Sequence, residues 1–357
     1  MKNRAQKHKS ISAQDMEILY SKFIAGKVIF IISSIIILFM AILLATCLGS
    51  VKLSLNDIFY SIIGVNSDNL SDVIIWNLRL PRIVMAIVAG SGLALSGCVM
   101  QGVLRNPLTS PFTIGISSAA GFGAAIAIVL GFGLVGNEKY FVITNAFIFA
   151  LICAFLVYGI AKFKGASPET IILAGIALMY LFGAATSFLQ YIGTKEDLHA
   201  VVHWLFGSLS RATWEQIFIV IIISIPCFLI LIKYSWDLNA LLAGDEVAKS
   251  LGVNVEKVRI ISMISATLIT ASIICFTGII GFVCLVAPHI TRMIIGGDHR
   301  FLLPSSGILG AIILILSDTI GRIILAPVII PVGIVTAFIG VPFFLYLLLT
   351  RKKEYWR

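Results

Sequence analysis

Charge is what this chain has least of. Asp, Glu, Lys and Arg make up 12% of its 357 residues, about half the share found in soluble globular chains, while hydrophobic residues make up 59%. That balance excludes a water-soluble enzyme and requires a polytopic membrane protein. A GxxxxGK[ST] phosphate loop is missing: the Gly26-Lys27 pair is followed by Val28, so the chain lacks the loop an ATPase would use. No HExxH occurs. The six cysteines, Cys47, Cys98, Cys153, Cys227, Cys275 and Cys284, stand singly inside apolar runs, with no CxxC or Cys/His cluster. A disulfide framework and a metal site are therefore not expected, nor is a resident cofactor, and the thiols read as small buried hydrophobes. Acidic side chains are nearly missing from the hydrophobic runs. A proton-coupled carrier needs them there, so the energy for any transport has to come from outside this chain.

Apolar runs that can serve as spans cover residues 28–48, 81–104, 112–134, 141–161, 169–192, 216–233, 260–278, 281–295, 303–325 and 332–349. The predicted fold is all-α, with about ten transmembrane helices, the eighth short and broken by Pro288. Residues 1–27 read as a basic cytosolic tail, too long for a signal-peptide n-region, and residues 28–357 as a single transmembrane domain. With both termini in the cytosol, only Lys52, Arg79, Arg82, Lys139, Lys195, Arg211 and Arg322 of the 26 lysines and arginines fall outside. The positive-inside rule demands such a bias. Much of the net charge of +9 is thus an orientation signal, and no nucleic-acid partner is expected. The second span is rich in Gly and Ala, which lets helix backbones approach closely in lipid. Residues 194–215 read as an interfacial segment with Trp204 and Trp214 as anchors.

The longest polar insert of the second half, residues 234–259, has the pattern of two short helices. Asp237 is placed to cap the first, with Leu238, Leu241 and Leu242 as its apolar face and Gly244 as its end. Asp245 is placed to cap the second, which carries Glu246, sets Val247 and Leu251 four apart on one face, and stops at Gly252. The charge count puts this insert in the cytosol. A compact helix–Gly–helix–Gly element there reads as a surface on which another protein pushes.

Other candidates are weaker. His199 and His203 share a helix face, but two ligands without a third do not make a metal site. His289 and Arg292 read as a Pro-kinked helix end at the cytosolic interface. Asp318 and Arg322, four apart on the ninth span, can pair with one another.

Several motifs resemble those of FecCD-type permeases, the membrane subunits of bacterial ABC importers for iron–siderophore complexes, haem and vitamin B12. They are Leu78-Arg79-Leu80-Pro81-Arg82, the glycine-rich stretch from Ala89 to Gly97, Gln101, Asn106-Pro107-Leu108, Leu173-Ala174-Gly175, the stretch from Gly278 to His289, Asp298-His299-Arg300 and Pro331-Val332-Gly333. The resemblance runs from about residue 78 to the C-terminus. It implies ten helices per subunit and a second permease subunit across a central path. It also implies two ABC ATP-binding subunits below and an extracytoplasmic substrate-binding protein above. The family's coupling helices match Leu238–Val253. Outward arginines that meet carboxylates of the binding protein in the vitamin B12 permease match Arg79, Arg82 and Arg322. The basic amino-terminal tail and Ser167-Pro168-Glu169 depart from the family pattern.

The expectation is a non-catalytic, multi-pass permease of the bacterial cytoplasmic membrane, surrounded by lipid, that imports an iron(III)–siderophore complex. Haem or cobalamin as cargo is the alternative within the class. A secondary transporter driven by protons through Asp318 is the alternative outside it.

Overall fold

The computed structural model describes residues 13–49, 55–64, 69–136, 140–164 and 167–350; the first twelve residues of the basic tail fall outside them. Every regular element among them is helical. The helices are α1 (Ala13–Cys47), α2 (Leu55–Ile63), α3 (Asn69–Val73), α4 (Leu80–Leu104), α5 (Ile116–Leu130), α6 (Phe141–Phe163), α7 (Pro168–Ile192) and α8 (Lys195–Leu205). Then come α9 (Trp214–Lys233), α10 (Ser235–Leu242), α11 (Asp245–Ser250), α12 (Val255–Thr277), α13 (Val283–Ile295), α14 (His299–Ile323) and α15 (Val332–Thr350). Among the described residues seven helical stretches are long and apolar enough to cross a membrane, and three shorter apolar helices, in α5, α13 and α15, accompany them.

Two boundaries differ from the sequence reading. The first helix does not begin at residue 28. It runs unbroken from Ala13, 35 residues in all, or about 52 Å, so the helix extends beyond the apolar run into the inner part of the tail. The second span does not begin at Pro81 either. Helix persists from Ser71 to Leu104 because residues Ile74–Arg79 widen into a π turn just ahead of the proline. Pro81 has no N–H to give to the previous turn, and the wider turn absorbs the mismatch. In the same way α13 continues through Pro288 instead of breaking there.

The helices sort by depth. Most of α4, α12 and α14 is buried, whereas α1, α6, α7 and α9 keep most of their apolar surface turned outward, as lipid-facing helices should. Small residues set the spacing in the centre. A Cβ added at Gly90 would stand 2.5 Å from the Gly310 carbonyl oxygen of α14. Gly97 lies directly on the Cys284 carbonyl of α13, which a Cβ would overlap. That carbonyl is the one whose helical donor Pro288 removes, so a bare Cα sits where the chain has a free acceptor. Gly97→Ala is expected to abolish recovery of folded, monodisperse protein by size-exclusion chromatography. Gly26→Ala on α1, where a Cβ meets nothing within 4 Å, should be recovered at least as well as the parent, because alanine favours helix by about 1 kcal/mol.

Candidate coupling site

The polar insert folds as two helices, α10 and α11, and both glycines do what their positions suggest. Gly244 has φ +115° between the helices, and Gly252 has φ +83° after the second, conformations that cost other residues strain. The Gly252 N–H donates to the Lys249 carbonyl and the Val253 N–H to that of Ala248, the paired bonds of a Schellman stop.

The two aspartates do not cap as expected. The N-cap of α10 is Tyr234, with no side-chain cap bond, and Asp237 sits inside the first turn. There its charge still suits the helix dipole. The N-cap of α11 is Gly244, and the Asp245 carboxylate is engaged elsewhere. It accepts from Arg259 Nη2 at 3.0 Å on both oxygens and pairs with Arg105 Nη2 at 3.2 Å. Arg105 closes α4 in a left-handed conformation and Arg259 lies in the first turns of α12. One carboxylate therefore ties α11 to the ends of two central helices.

A second clamp holds α10. The Asn239 amide donates from Nδ2 to Asp298 at 2.9 Å, while its oxygen accepts from the His299 backbone N–H at 2.8 Å and lies 2.9 Å from His299 Nδ1. Asp298 also accepts from Arg300 Nη2 at 2.6 Å and from Lys27 Nζ at 3.5 Å. The Arg300 guanidinium stacks over Trp236 at 4.0 Å. Burial works against the charge of Asp298, but the bonds from Arg300 and Asn239, with the Lys27 charge nearby, outweigh it. They hold the carboxyl well below the usual carboxylate range. The clamp thus stays charged at any pH the cell reaches.

These bonds decide which face of the element is free. Leu238 and Leu241 are fully buried against the spans, and Leu242 is half-buried. Glu246, Val247, Lys249 and Leu251 point outward, with Val247 45% and Leu251 67% exposed. Glu246 and Lys249 pair at 3.2 Å in full contact with solvent, where such a pair adds little. The result is a rigid lever: one face bolted to α4, α12 and α14, the other offering an apolar pair rimmed by charge.

At the opposite end of the chain's long helices lie Arg79, Arg82 and Arg322. All three are buried instead of facing outward. Arg82 grips Asp318 through Nε at 2.9 Å and Nη2 at 2.7 Å. Arg322 Nε lies 3.1 Å from the same carboxylate. Arg322 also donates to the Leu48 and Ala45 carbonyls, and Arg79 to those of Thr46 and Cys47. The last turn of α1 has orphan carbonyls and the negative end of a helix dipole, and two guanidiniums satisfy both. Arg292 is likewise buried, donating to Gln101 Oε1 at 2.9 Å. No group of three metal-ligating side chains comes together among the described residues.

Sequence reading missed Arg105, Arg259, Asn239 and Lys27 as parts of the site. In the sequence Arg259 and Arg105 read only as inside charge. Asp298-His299-Arg300 reads as a motif, and its partner is Asn239 of α10.

Comparison with known proteins fits this architecture. Residues 36–350 match the FecCD transport family. A Methanocaldococcus jannaschii protein named as an ABC transporter permease is 46% identical over 94% of this chain and 98% of its own length. The hemin transport system permease protein HmuU of Yersinia pestis is 35% identical over 88% of this chain and 94% of its own. A solved structure of an inward-facing metal-chelate type ABC transporter superposes with a TM-score of 0.80 at 34% identity, covering 90% of this chain and 99% of that one. Matched along its length by these relatives, a chain built of apolar helices with no phosphate loop of its own belongs to the FecCD transport family and is a multi-pass membrane permease of an ABC importer, not itself an enzyme.

Proposed function

We propose that this permease imports an iron(III)–siderophore complex, driven by separate ATP-binding subunits that dock on α10 and α11 from the cytosol. The observation that carries the reading is the two-faced lever: Leu238 and Leu241 buried, Val247 and Leu251 exposed, with Asp245 and Asn239 locking it to the spans. A partner that moves this lever moves α4, α12 and α14 together. In this reading ten helices cross the membrane, both termini are cytosolic, and a second permease subunit completes the path. An extracytoplasmic binding protein delivers the cargo. The arginine cluster serves delivery by fixing the outer ends of α1, α4 and α14.

The cargo reading is supported by an apolar groove of about 550 Å³ between α8, α13 and α15, with Leu205, Phe206, Phe282 and Phe338 in its walls and no charged side chain lining it. Such a wall favours a metal wrapped in an organic shell over a bare oxyanion, which needs cationic donors. Transport through Asp318 by proton coupling is disfavoured, since that carboxylate is held between two arginines.

Uptake should be measured in cells supplied with the ATPase and binding-protein partners, using a ferric siderophore, haem, cobalamin and molybdate in parallel. Saturable ferric-siderophore uptake that persists when the proton gradient is collapsed and ATP is kept is the expected result. Uptake of cobalamin or haem alone would overturn the cargo. Loss of uptake with the proton gradient would overturn the energy source.

A further inference from the structure

A groove of about 320 Å³ opens between α6, α7 and α12 on the side that carries the coupling helices. Its floor is apolar, with Phe155 and Ile264 among the lining residues, and its rim carries Lys162, Arg259 and Glu256. Phe155 and Lys162 are exposed, so the groove is reachable from the bilayer. Arg259 is shared. Its Nη2 holds Asp245 at 3.0 Å, and the residue also lines the groove. On the rim itself two cations, Lys162 and Arg259, stand with one carboxylate, Glu256, while Asp245 and Glu169 lie near Arg259 and Arg105 behind it.

We infer that this groove binds an anionic glycerophospholipid of the cytosolic leaflet, one acyl chain along the floor and the phosphate between Lys162 and Arg259. An apolar channel that ends in cations is complementary to an anionic lipid at both ends, and basic pockets between spans on the cytosolic side are suited to such headgroups. A soluble anion would use the rim but leave the floor empty. A neutral lipid would use the floor but gain nothing from Lys162. Because Arg259 also grips Asp245, a phosphate here draws on the guanidinium that fastens α11. The lipid therefore tunes how firmly the lever is held. The site depends on the proposed function only for the name of the leaflet.

The test is native mass spectrometry of the detergent-solubilised permease titrated with phosphatidylglycerol or phosphatidylcholine. It needs neither ATPase nor membrane sidedness, so its outcome is separate from that of the uptake experiment. Wild type should retain phosphatidylglycerol in preference to phosphatidylcholine. Lys162→Gln should cut that preference about fivefold, the effect of one surface cation on an anionic lipid. Ile264→Trp, which fills the floor, should reduce retention of both lipids at this site. Both variants must keep the parent unfolding midpoint, which the exposure of Lys162 and the open groove beside Ile264 allow. An unchanged preference in Lys162→Gln together with unchanged retention in Ile264→Trp would overturn the assignment. So would displacement of phosphatidylglycerol by an equal concentration of inorganic phosphate, which would make this a free-anion site.

Discussion

Asp318→Asn will lower the unfolding midpoint of the solubilised protein by on the order of 5–10 °C. The carboxylate is 3% exposed and neutralises Arg82 and Arg322 at once. Removing it leaves two guanidiniums buried without their counter-ion. Breaking a buried pair by deleting one partner costs roughly 3–5 kcal/mol, and in a chain of this length each kcal/mol moves the midpoint by about 2 °C. Arg82→Ala should act in the same direction, because its bidentate grip supplies most of the bonds to the carboxylate. The measurement is a thermal scan at fixed detergent and salt. This outcome separates a structural cluster from a docking one. Arginines that only met a binding protein would leave the midpoint unchanged when replaced and would weaken docking alone.

The second large effect lies at the lever. Leu251→Asp, alone or with Val247→Asp, is expected to abolish uptake while the protein still folds and inserts. Both side chains face solvent in the isolated permease, so a carboxylate there costs the fold almost nothing. In a complex the same carboxylate would be buried without a partner at the centre of the contact, where single residues carry most of the affinity. The buried leucines of α10 behave in the opposite way. Leu238→Asp puts a charge into a fully buried position and should remove the folded protein itself.

The spans were legible because apolar runs of bilayer length have few other uses. Their ends were less so. Pro81 reads as a helix start, since a proline is at home in the first turn, and only the three-dimensional chain shows a π turn carrying the helix past it. Likewise Asp15, Glu17 and Lys22 look like tail residues, yet acidic and basic residues are tolerated in helix outside the bilayer, and α1 extends through them. In the insert, Gly244 and Gly252 were readable as stops because glycine's backbone freedom is a local property. Asp237 and Asp245 were misread as caps for the same reason: a local rule was applied to side chains with distant partners. Asp245 meets Arg259 fourteen residues on and Arg105 far upstream, and neither spacing belongs to a helix or turn. Arg82 and Asp318 are 236 residues apart. Before that pairing is seen, an arginine at the start of a span reads as an interfacial anchor or a docking charge. The fold's hydrophobic layers follow from composition, while the polar network that stiffens them follows from tertiary contact.

The central claim is that α10 and α11 present Val247 and Leu251 to an ATPase partner while Leu238 and Leu241 hold the element to the spans. The most direct test is the affinity of the purified ATPase subunit for detergent-solubilised permease carrying Leu251→Asp, checked against the parent for an unchanged unfolding midpoint. The account predicts at least about tenfold weaker binding, or 1.4 kcal/mol. Binding as tight as the parent's, with the variant folded, would contradict it.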